Sequence, residues 1–183
     1  MLKASENPPI IWPEEQLLTD FDGTWWVAHT KSRNEKALAH DLITRNINYF
    51  LPMSWKVSRK SRRTIKSFLP LFSGYVFFCG DENKRVQTLQ TDRVANIIEV
   101  TDQQLLIDEL VQIEQVLRTG EPLTPHKYLK KGQKCRVIAG PLMGIQGIIT
   151  NIQGKTRLVL QVDMLGQAAS VEIEIDMVEP IEE

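Results

Sequence analysis

The sequence predicts an α+β domain followed by a second, small all-β piece. Three observations carry that reading. Strand-like and helix-like segments alternate from Thr24 to Arg118, giving the order βαββαβα and a mixed sheet covered by helices, an α+β sandwich. From Lys130 to Pro180, β-branched runs are broken by Gly-Pro and Gly turns, the encoding of a small barrel of five strands. Between the two, Glu121-Pro122-Leu123-Thr124-Pro125-His126 is a proline-stiffened connection that still permits independent motion. The boundaries are 1–23 for an N-terminal extension, 24–118 for the first domain, 119–129 for the linker and 130–183 for the second domain.

In the extension, Pro8, Pro9 and Pro13 oppose a regular element, so a partly ordered tail is expected despite Ile10, Ile11, Trp12 and Phe21. Thr24–Thr30, with Trp25, Trp26 and Val27, reads as a strand. A helix follows from Asn34 to Arg45, with Asn34 as its cap and Leu38, Leu42 and Ile43 apolar. A strand from Tyr49 to Val57 leads into Arg59-Lys60-Ser61-Arg62-Arg63-Thr64-Ile65-Lys66, five cations in eight residues. Such a run repels itself and reads as an exposed hairpin tip. Phe68–Cys79 returns as one apolar strand, a short helix capped at Gly80-Asp81-Glu82-Asn83 runs to Gln90, and Val94–Val100 is a further strand. The longest helix spans Gln103–Leu117, with Leu105, Leu106, Leu110, Ile113 and Leu117 as its apolar stripe. In the C-terminal piece Gly154-Lys155 and Gly166-Gln167 turn hairpins, and Val171–Asp176 alternates apolar with acidic as a strand should.

Composition narrows the function. With 42% hydrophobic and 25% charged residues the chain is globular. A formal net charge of −1 excludes a protein that coats nucleic acid through bulk charge, so any such contact needs a local patch. Cys79 and Cys135 sit far apart in apolar runs, as buried reduced thiols do. There is no signal-like N-terminus and no apolar stretch of bilayer length, so a cytoplasmic protein without a membrane partner is expected. His29, His40 and His126 have no nucleophile or carboxylate in a catalytic arrangement, and neither a phosphate loop nor metal-ligand spacing is present. The chain therefore reads as a non-enzyme with no catalytic residues, no metal and no cofactor.

Four segments in order carry a resemblance. They are Trp25-Trp26-Val27 with Lys31-Ser32-Arg33 and Glu35; Leu71-Phe72-Ser73-Gly74-Tyr75-Val76-Phe77; Gly132 to Gly147 with Gly140-Pro141; and Leu165-Gly166-Gln167-Ala168 running into Val171-Glu172-Ile173. Together they resemble the NusG family of transcription elongation factors, from Trp25 to the end of the chain. The resemblance implies an N-terminal NGN domain and a C-terminal five-stranded KOW barrel. It also implies RNA polymerase as partner, gripped at the tip of its clamp helices through an apolar surface of the NGN domain.

Phe72 and Tyr75 fall on the family's Phe-Pro-Gly-Tyr, with Ser73 in place of the usual proline, and the resemblance makes them the anchors. Val27 and His29 would border the same patch. The residues alone leave core packing open for Phe72 and favour it for Val76 and Phe77. Lys31 matches a basic position near the non-template strand in RfaH-type members. With Arg33, Arg59, Lys60, Arg62 and Arg63 it is assigned to upstream-fork or non-template DNA, although a solvated hairpin tip has the same composition. In the KOW domain, Leu165 corresponds to the family's docking position for Rho or a small-subunit ribosomal protein, and Ile145 flanks it; barrel core is the other reading for both.

The implied function is elongation or antitermination: riding on polymerase, suppressing pausing or termination and recruiting a partner through the KOW domain. Tyr49-Phe50-Leu51-Pro52-Met53 with the basic run, and Leu71-Phe72-Ser73, resemble specialised RfaH-like paralogues. One alternative is a housekeeping NusG-type factor that supports Rho termination or transcription–translation coupling. Another is an RNA-binding or ribosome-associated KOW protein, but that predicts a basic barrel, and residues 171–183 hold six acids with no Lys or Arg.

Overall fold

The computed structural model describes residues 6–60 and 63–181, without the side chain of Lys60. It divides into two compact units, Met1–Gln103 and Gln104–Glu183, and each is treated by itself below.

The first unit is built on an antiparallel sheet in the order β1 (Ile11–Trp12), β3 (Asn48–Phe50), β6 (Tyr75–Gly80), β2 (Thr24–Thr30) and β7 (Val94–Glu99). Two helices, α1 (Glu35–Thr44) and α2 (Glu82–Leu89), belong to the same unit. Side chains alternate between the two faces. One face supplies Ala28, Tyr49, Val76 and Phe78, which share a buried cluster with Leu38, Ala39 and Leu42 of α1. The other carries Trp25, Val27, Phe50 and Phe77, all buried. Asp81 caps α2 by accepting from the Lys84 N–H at 2.9 Å.

Asn34 does not cap α1 through its side chain. Its amide is engaged elsewhere, donating to the Ser32 carbonyl and accepting from Arg93.

The N-terminal extension is not a loose tail over its described length. Ile11 and Trp12 pair with Phe50 and Tyr49, Leu51 N–H donates to the Ile10 carbonyl at 2.7 Å, and the Tyr49 hydroxyl donates to the Pro9 carbonyl at 2.8 Å. The prolines that oppose helix are tolerated on an edge strand and its approach.

The expected strand Phe68–Cys79 is two strands in two sheets. β5 (Arg63–Pro70) pairs only with β4 (Met53–Lys60) as a two-stranded ribbon, and the chain turns at Leu71–Gly74 before entering β6. The ladder continues to Lys60↔Arg63. The basic positions 59, 60, 63 and 66 therefore lie on regular strand rather than in a loop, and residues 61 and 62 lie outside the described residues.

In the second unit a sheet runs β13 (Val178–Pro180), β9 (Gln133–Val137), β10 (Gln146–Ile152), β11 (Lys155–Val162), β12 (Gln167–Glu172) and β8 (Thr124–His126). That is six strands among the described residues where five were expected. The addition comes from the linker: Thr124, Pro125 and His126 pair with Ser170, Ala169 and Ala168. Pro125 is admissible there because β8 lies at the edge. Leu158, Val159, Val162, Ala169 and Val171 are fully buried.

The alternating Val171–Asp176 does not continue as strand. β12 ends at Glu172, Ile175 opens a single 3-10 turn with 64% of its surface exposed, and the turn redirects the chain into β13 beside β9.

Helix α3 (Gln103–Thr119) buries Leu106, Leu110, Ile113 and Val116, while Leu105 of the expected stripe is exposed. From Gln104 onward α3 groups with the second unit, although the sequence reading set it at the end of the first. Gln112 Oε1 accepts from the Gln146 N–H at 2.6 Å, and the Glu109 carboxylate accepts from the Asp163 N–H.

Cys79 and Cys135 are free and buried. Burial pushes the Cys79 thiol up to about 12 and raises that of Cys135. Among the described residues no helix is long and apolar enough to cross a membrane.

Candidate functional site

Strand order brings three polar or aromatic side chains into one row across the first sheet. His29 on β2 lies opposite Tyr75 on β6 and opposite Asn96 on β7. The His29 and Tyr75 rings stack at 5.2 Å with 27° between planes. His29 Nδ1 and Asn96 Oδ1 are 3.1 Å apart. His29 and Asn96 are exposed and Tyr75 is half-buried. The row thus presents a rigid aromatic pair with a polar rim, the composition that protein interfaces concentrate.

The turn that delivers Tyr75 is held from two sides. Gly74 adopts φ +87°, a left-handed backbone that glycine enters without steric cost. Its N–H donates to the Glu35 carboxylate at 2.7 Å, and its carbonyl accepts from the Thr30 N–H at 2.8 Å. Glu35 sits in the first turn of α1 and is only 7% exposed. Glu35→Ala is expected to lower the stability of this unit by about 1–3 kcal/mol, because it strands the half-buried Gly74 N–H. Glu35→Gln, which keeps an acceptor, should recover part of it in thermal denaturation.

The other two residues assigned to this patch are not on the surface. Phe72 is 1% exposed and meets Phe77 edge-on, with ring centroids 6.2 Å apart at 89°. The Leu71–Gly74 turn directs its ring inward rather than out. Val27 shares the sheet face of His29 and Tyr75, but it is fully buried opposite Phe77 and Ile98.

The assigned cations fall into two groups. Lys31 is exposed and bound to Asp92 at 2.5 Å. That hydrogen bond and charge hold the Asp92 carboxyl below the usual carboxylate range. Arg33 is exposed at φ +60° in the turn before α1. The second group lies on the ribbon, where Arg59 and Arg63 are exposed and Lys66 joins them. Arg62 lies outside the described residues, as does the side chain of Lys60.

In the second unit Leu165 is half-buried in a 3-10 turn between β11 and β12, and Ile145 is 2% exposed. Ile145 packs as core because its backbone closes onto Val137 and Leu142. Among the described residues no group of His, Cys, Asp or Glu could hold a metal ion.

Sequence reasoning missed Asn96, the anchoring role of Glu35, and Trp55. The first two depend on strand order and long-range contact. Trp55 was legible: it alternates with Val57 and Arg59, so a strand there sets all three on one face.

The family model described as transcription termination factor NusG matches residues 23–115. The transcription termination/antitermination protein NusG of Pseudomonas aeruginosa is 25% identical over 177 residues, covering 86% of this chain and 98% of that protein. A solved structure reported as domain interaction in Thermotoga maritima NusG matches with a TM-score of 0.51 at 19% identity, covering 87% of this chain and 97% of that one. This last likeness concerns the fold.

Proposed function

The chain belongs to the NusG family of transcription factors, and from that premise we propose that it is an elongation factor that binds RNA polymerase and suppresses pausing or termination. The observation that carries the reading is the stacked His29–Tyr75 pair on a turn fixed by Glu35. A pre-organised aromatic anchor loses little freedom on binding, and such residues dominate interface energies. Tyr75 is the anchor for the clamp helices and His29 its neighbour. Phe72 and Val27 support them from the core.

The cations Lys31, Arg33, Arg59 and Arg63 contact the upstream-fork or non-template DNA. The C-terminal sheet is the KOW module, and Leu165 is its contact for Rho or a small-subunit ribosomal protein. Two modest contacts joined in one chain reinforce each other through effective concentration. The RfaH-like role, antitermination, is the one proposed for this chain.

The test is capture of core RNA polymerase by the full chain, followed by transcription through a terminator with and without Rho. Capture with increased read-through is the expected result. Captured polymerase that terminates more efficiently when Rho is added would reassign the protein to the housekeeping role, and no capture would remove the proposal.

A further inference from the structure

The connection between α3 and β9 is bound along most of its length. Leu123 is 1% exposed, and Thr124, Pro125 and His126 pair with β12. Arg157 on β11 clamps this pairing. Its guanidinium donates to the Thr124 hydroxyl and the Ser170 hydroxyl, each at 2.8 Å, and to the Ser170 carbonyl at 2.9 Å. Past β8, the Tyr128 hydroxyl donates to Asp163 Oδ1 at 3.0 Å, and the Leu129 carbonyl accepts from Gln161 Nε2 at 3.1 Å.

Between the end of α3 at Thr119 and the buried Leu123, residues 120–122 are exposed. The hydrogen bonds of this joint run back to the helix, from the Gly120 N–H to the Leu117 carbonyl and from the Glu121 N–H to the Thr119 hydroxyl.

The closure is shallow. β8 has three residues, and Pro125 has no N–H to give to the ladder. Thr124 is exposed, and Arg157 and Tyr128 are half-buried, so water can replace each of these bonds at small net cost. Beneath them Leu158, Val159, Val162 and Val171 are fully buried. An edge of this kind opens locally while the sheet it rests on stays folded.

From this arrangement we infer that residues 123–129 are a strap with two positions. Closed, the strap leaves residues 120–122 as the joint, which spans at most about 10 Å. Open, residues 120–132 become the tether and span at most about 45 Å. The strap thus sets how far the second sheet travels from α3. It thereby sets the effective concentration that one binding site confers on the other.

The experiment is hydrogen–deuterium exchange read by mass spectrometry on the full chain, as wild type, Tyr128→Phe and Arg157→Ala. In wild type the amides of residues 123–129 should exchange about tenfold more slowly than unstructured chain, yet faster than those of β10 and β11. Tyr128→Phe should speed exchange in this segment about threefold and Arg157→Ala about tenfold. Both should leave β10 and β11 as in wild type.

Exchange of residues 123–129 at the unstructured rate in wild type would eliminate the closed position. Exchange as slow as that of β10 and β11, or rising together with theirs in both variants, would make the segment a fixed strand that opens only on unfolding. Rates unchanged in both variants would dismiss the clamp. Should Arg157→Ala unfold the sheet, Tyr128→Phe decides alone, since it deletes one hydroxyl and keeps the ring.

Discussion

Phe72→Ala is expected to cost the first unit about 3–5 kcal/mol of unfolding free energy. The ring is sealed at 1% exposure and sits perpendicular to Phe77, which in turn lies 6.4 Å from Phe50. Truncation removes the buried area, leaves a cavity in a chain of three rings and forfeits an edge-to-face contact. All four tryptophans, Trp12, Trp25, Trp26 and Trp55, belong to this unit, so tryptophan fluorescence in a urea titration reports its unfolding selectively. A loss below about 1 kcal/mol would mean that the ring is not core, and would restore it as an exposed anchor.

Tyr75→Ala should behave in the opposite way. The ring is half-buried and its partner is the exposed His29 rather than the core. Thermal stability should fall only slightly. Polymerase capture should weaken about thirtyfold, the scale of a hot-spot aromatic worth roughly 2 kcal/mol. His29→Ala should produce a smaller loss, because it removes the stacking support and leaves the phenol. A Tyr75→Ala protein that captures polymerase as well as wild type would dismiss the row as the anchoring surface. Together with Phe72→Ala, this pair separates a binding defect from a folding defect within one short motif.

Local signals located the elements well. β2 occupies Thr24–Thr30 as read, and α1 departs from its predicted span by one residue at each end. What the sequence left hidden is non-local pairing. The tail reading of residues 10–12 weighed prolines, but Phe50 and Tyr49 lie far along the chain and supply the ladder that orders them. Alternation over Val171–Asp176 describes a strand, yet β12 stops opposite Arg157 although β11 runs on to Lys155, and the chain turns away to pair with β9 instead. Phe72 shows the same limit at the candidate site: a motif states that an aromatic flanks a turn, whereas the turn's backbone dictates which way the ring points.

The short β1 edge has a practical corollary for dissecting this protein. A fragment begun at residue 24, where the recognisable motif starts, would strip β1 from β3 and leave the Tyr49–Phe50 backbone unpaired along one side. Naked strand margins recruit one another, so such a truncation would be prone to self-association, and a gel-filtration shift in it would reflect the cut rather than native oligomerisation.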